Sequence, residues 1–182
     1  MTENRYLKIL ISLLIPLVIS FLFPYCSDPE QPANSTKNLL TIQDSVINYH
    51  KKVIHKEDQE IADYIQRYHW RVTTQSTGLR YMIYKHGTGA MVKSGKTVTI
   101  NYSVSLLDGK LCYSSNTLGS REFQVGHGGV ETGLEDGILL LREGDRAKFI
   151  VPSHLAFGLL GDQDKIPPLA TLIYDVELIK LK

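Results

Sequence analysis

FQVGHGGVETGLEDGILLLREGDRAKFIVPSHLAFG, residues 123–158, followed by IPPLATLIYDVELIKL, residues 166–181, is the stretch that decides the fold. Phe123 to Val125 predicts a short strand. Thr132 to Leu141 predicts a short helix with Thr132 as its N-cap. Glu143-Gly144-Asp145 turns the chain into a strand from Arg146 to Val151, which Pro152 ends because proline has no N–H for a ladder. A long loop runs from His154 to Pro168. The last strand, Ala170 to Leu181, places Leu172, Tyr174, Val176 and Leu178 on one face. Strands flanking one short helix, with a long loop beside them, make an apolar cleft.

Upstream, the same two-residue period governs Thr97 to Leu106, with Val98, Ile100, Tyr102, Val104 and Leu106 on one face. Asp108-Gly109 is a strong hairpin signal, and Lys110 to Ser114 returns as its partner. Ser115 to Arg121 reads as loop. Leu79 to Lys85 alternates again, and Trp70 to Thr74 predicts a further strand before the Thr77-Gly78 turn. From Leu39 to about Tyr68 the period is helical: Ile42, Val46, Tyr49, Val53, Ile54, Ile61 and Ile65 form an apolar stripe opposite Lys51, Lys52, Lys56, Glu57 and Glu60. Such a stripe must be buried, either on its own domain or on a second copy of the chain. Together these elements predict an α+β fold: a twisted antiparallel β-sheet wrapped on a short α-helix, preceded by an N-terminal helical extension.

The N-terminus follows different rules. Arg5 and Lys8 precede an uncharged apolar stretch, Ile9 to Tyr25, short for a spanning helix of ~20 residues and suited to a signal sequence. Cys26 follows at once, then Ser27-Asp28-Pro29-Glu30 opens a polar, proline-containing tether. A cysteine at this place predicts a lipoprotein signal with Cys26 as the lipidated residue; the alternative is an uncleaved anchor. Residues 1–25 thus read as signal peptide, 26–38 as linker, 39–69 as helical extension and 70–182 as the folded domain. Either form of anchor puts the domain in the cell envelope, outside the cytoplasmic membrane and facing the periplasm.

Net charge is +1, with no basic stripe among aromatics, which argues against nucleic acid. The six histidines and two cysteines have no zinc spacing, so no metal is expected. Ser153 and His154 are sequence neighbours whose side chains diverge, a poor start for a hydrolytic triad. Gly126, Gly128, Gly129 and Gly133 lack a phosphate-loop lysine and read as tight turns. Asp162 and Asp164 lack calcium-loop spacing. What remains is apolar and aromatic: Tyr102, Phe123, Val130, Leu134, Phe157, Ile166 and Tyr174 come from different elements and should converge, as plain core or as a pocket.

At these residues the chain resembles the FKBP-type peptidyl-prolyl cis/trans isomerases. The matching features are Tyr102, then Asp108-Gly109-Lys110 with Ser114-Ser115, Phe123 to Gly126, Val130 to Gly133, and Glu143-Gly144. Pro152 to Gly158, Ile166-Pro167-Pro168 and Ala170 to Leu178 follow in the family's order. The N-terminal part, with Cys26 and the run WRVTTQSTGLRYMIY, residues 70–84, is similar to the gliding-motility-associated FKBP-type lipoproteins of Bacteroidetes.

The resemblance implies that Tyr102, Phe157 and Tyr174 carry catalysis. It implies that Phe123, Val130, Glu131, Leu134 and Ile166 bind substrate, with Cys112 and Tyr113 on the opposite wall. No cofactor is implied. It implies proline-containing polypeptide clients, a membrane contact through the lipid anchor, and envelope folding assistance linked to gliding motility. Homodimerisation through the N-terminal helix is a further expectation. Several positions depart from the family pattern. Cys112 and Tyr113 stand where Phe-Asp is common, so an aspartate is missing. Leu134 replaces a pocket-floor tryptophan and should widen or reshape the pocket. Glu131 brings a charge to the rim, and Phe157 lacks a tyrosine hydroxyl. The implied function is therefore a peptidyl-prolyl isomerase of reduced activity; the alternative is a catalytically weak or inactive chaperone or assembly factor.

Overall fold

The computed structural model describes residues 33–182, with side-chain environments from Thr41 onward. The segment expected to be a signal peptide, Cys26 and the first part of the expected linker lie outside the described residues. The chain divides between Ile47 and Asn48 into two units. In the first, Ile42, Val46 and Ile47 are exposed.

Helix α1 spans Ala33–Arg67 without a break. It starts at Ala33 rather than Leu39 because no glycine or proline lies between Pro32 and Gly78 to stop it. Seven strands follow: β1 Thr73–Thr74, β2 Arg80–Lys85, β3 Thr97–Leu106, β4 Leu111–Ser114, β5 Arg121–Gln124, β6 Arg146–Val151 and β7 Leu172–Leu181. Two short helices, α2 Ser115–Leu118 and α3 Thr132–Ile138, interrupt them. The sheet order is β1-β2-β6-β7-β3-β4, with β5 also on β3, and every pairing is antiparallel. Trp70 to Val72 stay out of the strand expected there, and β1 is confined to Thr73–Thr74.

β4 and β5 share one edge of β3. β4 pairs with Ser103 to Ser105, and β5 with Thr97 to Ile100. Between them the chain leaves the ladder through α2, a helical turn inside the segment expected to be loop. The double serine makes this break possible. The Ser114 hydroxyl accepts the Asn116 N–H at 3.1 Å and caps α2. The Ser115 hydroxyl accepts the Tyr102 N–H at 3.1 Å, a donor that the interrupted ladder would leave unpaired.

Helix α3 lies across the concave face of the sheet with Gly133, Leu134, Gly137 and Ile138 buried. Its N-cap is Glu131 rather than Thr132, with no side-chain cap bond. Gly133 is not a turn residue: a Cβ there would stand 2.3 Å from Val151 Cγ1, and one at Gly137 would stand 2.7 Å from the Phe149 ring. Spaced four apart, these glycines form one bare face that lets the helix backbone approach β6.

The opposite face of the sheet is covered by the second half of α1. Ile61 and Tyr64 bury themselves on Ile150 and Ile173, flanked by Trp70, Val72 and Leu107. Tyr64 meets Trp70 edge-on, with centroids 5.2 Å apart. Glu57 fastens this contact, accepting from the Ser153 N–H at 2.6 Å, the Ser153 hydroxyl at 3.2 Å and the Thr171 hydroxyl at 2.7 Å. For this part of the stripe, burial on its own domain is the outcome. Tyr49 and Ile54 remain exposed.

Candidate functional site: an aromatic cavity on the concave face

Antiparallel register builds the site. Tyr113 of β4 pairs with Val104 of β3, Val104 with Tyr174 of β7, and Tyr174 with Phe149 of β6. Residues opposite one another in a ladder point to the same face. This row therefore runs across the concave side, and the Phe149 end is sealed beneath Gly137 of α3. At the other end α3 no longer covers the sheet. A cavity of about 340 Å³ opens there, lined by Tyr102, Val104, Tyr113, Leu118, Arg121, Glu131, Phe157, Asp162 and Tyr174. A second hollow, about 320 Å³, includes Asn101, Ser103, Arg146, Asp175 and Glu177 in its lining. Arg146 pairs with Glu177 there and Lys148 with Asp175, so it is a solvated ionic surface rather than an apolar slot.

Burial, and then the neighbouring Glu131 carboxylate, push the Tyr174 phenol well above its ordinary range, so it is a neutral hydroxyl at the cavity floor. The Tyr113 hydroxyl donates to the Asp162 carboxylate, and that bond, with burial behind it, raises its pKa as well. Burial pushes the Asp162 pKa up. The Tyr113 hydroxyl and the backbone amides of Asp164, Ile166 and Lys165 outweigh burial and hold it below the usual carboxylate value.

Residues 89–179, half of the chain, match the family model described as FKBP-type peptidyl-prolyl cis-trans isomerase. This chain belongs to that family. It is 40% identical over 111 residues to the probable FKBP-type isomerase FkpA of Neisseria meningitidis serogroup B, covering 60% of this chain and 40% of that protein. It is 38% identical over 112 residues to FkpA of Escherichia coli K12, covering 61% of this chain and 40% of that protein. The chain thus spans well under half the length of these curated relatives. The crystal structure of E. coli FkpA superposes with a TM-score of 0.62 at 29% identity, covering 96% of this chain and 81% of that one. The crystal structure of AtFKBP13 superposes at 0.60 with 27% identity, covering 62% of this chain and all of that one. The architecture is the FKBP fold.

Within the FKBP domain, five of the residues singled out from sequence line the cavity: Tyr102, Tyr113, Glu131, Phe157 and Tyr174. Phe123, Leu134, Ile166 and Cys112 are buried behind it, and Val130 packs on the same core. Leu134, 1% exposed, belongs to the core rather than to the cavity lining. The floor is Tyr174, reached from β7. Glu131 is not a rim charge either. Its side chain is 11% exposed, its Oε2 lies 3.8 Å from an Arg121 guanidinium nitrogen, and the carboxylate also acts on the Tyr174 phenol. Burial raises the pKa of the Cys112 thiol and keeps it in the neutral form of a core residue.

Four lining residues were not singled out: Val104, Leu118, Arg121 and Asp162. Val104 carries a signal, since it lies two positions beyond Tyr102 on the same face of β3. Leu118 sits in the segment read as loop. Arg121 and Asp162 carry none, because their reach depends on where β5 and the β6–β7 connection pass in space. Asp162 also corrects the expectation of a missing acid: β4 has none, but the connection brings a carboxylate to the cavity.

Proposed function

We propose that this protein catalyses cis/trans isomerisation of X-Pro peptide bonds in client polypeptides. The observation that carries this is the aromatic cavity formed by Tyr102, Phe157 and Tyr174 in an FKBP domain. Rotation about the peptide C–N bond crosses a barrier of ~18–20 kcal/mol because resonance must be broken. The planar amide is the more charge-separated form. A pocket that strips water from its carbonyl therefore raises it relative to the twisted form. No bond is made or broken to another group, so the chemistry calls for neither a nucleophile nor a cofactor. Walls of phenyl and phenol fit the proline ring, and half-buried hydroxyls receive the flanking backbone.

The test is proline-limited refolding of a reporter protein by the full chain, without a coupling protease. The expected result is acceleration at micromolar concentration. Folded protein that leaves the slow phase unchanged would rule out isomerase activity.

Cys26 and the segment preceding it support placement as a lipid-anchored envelope protein. The resemblance of residues 70–84 supports a role in folding clients of a gliding-motility apparatus, and the apolar stripe of α1 supports a homodimer. Cys26→Ser is expected to move the protein from the membrane to the soluble fraction; continued membrane retention would point to an uncleaved anchor.

A specific feature also favours chaperone binding. An apolar groove of about 250 Å³, lined by Tyr49, Val53, Ile54, Leu159 and Leu169 among others, runs between α1 and the β6–β7 connection. Beside it, Leu159 and Leu160 are 70% and 73% exposed. In the refolding experiment this groove accounts for suppressed aggregation that survives loss of the aromatic cavity but fails in Leu159→Ser/Leu160→Ser. Protection unaffected by the serine pair would remove the groove from consideration.

A further inference from the structure

The two residues of β4 that depart from the family pattern both reach across to the β6–β7 connection. The Tyr113 hydroxyl donates to Asp162 Oδ2 and stands 3.4 Å from Asp164 Oδ2. The Cys112 sulfur lies 3.6 Å from the Lys165 carbonyl oxygen and 3.8 Å from that of Lys110. Lys165 Nζ in turn lies 4.9 Å above the Tyr113 ring. Residues 162–165 are therefore held on β4 by a charge-assisted hydrogen bond, a thiol contact and a cation over an aromatic face.

Asp162 uses its two oxygens differently. Oδ1 turns inward on the connection, accepting the Asp164 N–H at 3.0 Å and the Ile166 N–H at 2.7 Å. Oδ2 turns outward to Tyr113. A carboxylate that only shaped its own turn would need Oδ1 alone. The second oxygen couples the turn to the cavity wall. The same connection carries Phe157, which lines the cavity, and then Ile166, which is 2% exposed in the core. Its core end is anchored by packing, and Gly158, next to Phe157, by backbone bonds to Ser153 at 2.9 Å and Leu169 at 2.8 Å; the Tyr113 bond adds the tie that draws this connection to β4.

We propose that Asp162 is a positioning residue of the proline cavity: through Tyr113 it clasps the β6–β7 connection to β4 and sets the spacing between Phe157 and the Tyr102–Tyr113 wall. This rests on the isomerase function proposed above. The position where an acid is absent on β4 thus carries the donor for an acid supplied from the connection. Asp162 touches the cavity, but its effect on substrate runs through the placement of Phe157. The interaction it removes when lost is one made equally in ground and transition states, which raises KM more than it lowers kcat.

The experiment compares the full chain with Tyr113→Phe, Asp162→Asn and the double variant, all close to isosteric. Protease-free isomerisation of a Leu-Pro tetrapeptide is followed over a range of concentrations, and amide hydrogen exchange is read at Ile166. Tyr113→Phe is expected to raise KM about three- to tenfold with kcat within about twofold, and to speed exchange at Ile166, although Tyr113 does not bond that amide. Asp162→Asn keeps a hydrogen-bonding partner but loses the charge, and should raise KM about two- to threefold. The double variant should raise KM by less than the product of the two single effects, since the Tyr113–Asp162 bond is lost or weakened in both; any excess over Tyr113→Phe reports the Oδ1 bonds to the Asp164 and Ile166 amides. Wild-type KM or wild-type Ile166 exchange in Tyr113→Phe, or single effects that multiply fully in the double variant, would overturn the clasp. If the wild type itself shows no isomerisation, the proposed function fails separately. The clasp then stands or falls on Ile166 exchange in Tyr113→Phe.

Discussion

Phe149→Ala should destabilise the FKBP domain by about 3–5 kcal/mol, the range for removing a large aromatic from a closed core. Phe149 is fully buried on β6, paired with Tyr174 across the ladder and pressed against the bare face of α3 at Gly137. Every side of the ring is occupied, so truncation leaves a void that the surroundings can fill only by moving α3. Collapse of α3 is hindered because Gly133 already sits close to Val151. Chemical denaturation of the full chain would report this as a lower midpoint at an unchanged slope. A loss below about 1 kcal/mol would mean that α3 settles into the space, and that its glycine face does not set the helix–sheet distance.

The second large effect falls on activity and leaves the fold in place. Tyr102→Ala/Phe157→Ala should lower kcat/KM for an X-Pro peptide at least about 100-fold. Both side chains line the cavity and neither is fully buried. Each aromatic body contributes about 1.5–3 kcal/mol of apolar contact when a ligand covers it, and about 1.4 kcal/mol corresponds to one factor of ten. The Tyr102 main chain keeps its bond to Ser115, so β3 and the adjoining break in the ladder should persist. Steady-state kinetics beside a thermal melt separates the two effects. A stable double variant retaining more than about a tenth of wild-type kcat/KM would place turnover outside this cavity.

Much of the scaffold was legible because it is local. Strict alternation from Thr97 to Leu106 marks β3 at both ends, since burial of one face produces a two-residue period. β6 is marked instead by the Glu143-Gly144-Asp145 turn before it and Pro152 after it, because Phe149 and Ile150 are buried on opposite faces. Asp108-Gly109 marks its hairpin because Gly109 must take a positive φ, here 89°. The serine pair at the end of β4, the aromatic positions and the Ile166-Pro167-Pro168 run occur in one order, which is why the family could be named from residues alone. Helix α1 was visible from its stripe, but whether Ile61 and Tyr64 met the domain or a second chain was not, because periodicity reports a face and not its partner.

The site itself shows the limit more sharply. Sequence determined that aromatic residues from β3, β7 and the β6–β7 connection would share a concave face. Only the tertiary structure decided what closes that face. Leu134 drops into the core and leaves the floor to Tyr174, because α3 rides low on two glycines. Glu131 lies inward between Arg121 of β5 and Tyr174 of β7. Asp162 lies far from Tyr113 along the chain yet supplies the carboxylate that β4 lacks, because the connection folds back over the cavity mouth. Periodicity is a property of neighbours in sequence, whereas charge pairing in a cavity is a property of neighbours in space. The first can be read from the chain, and the second exists only after the chain has folded.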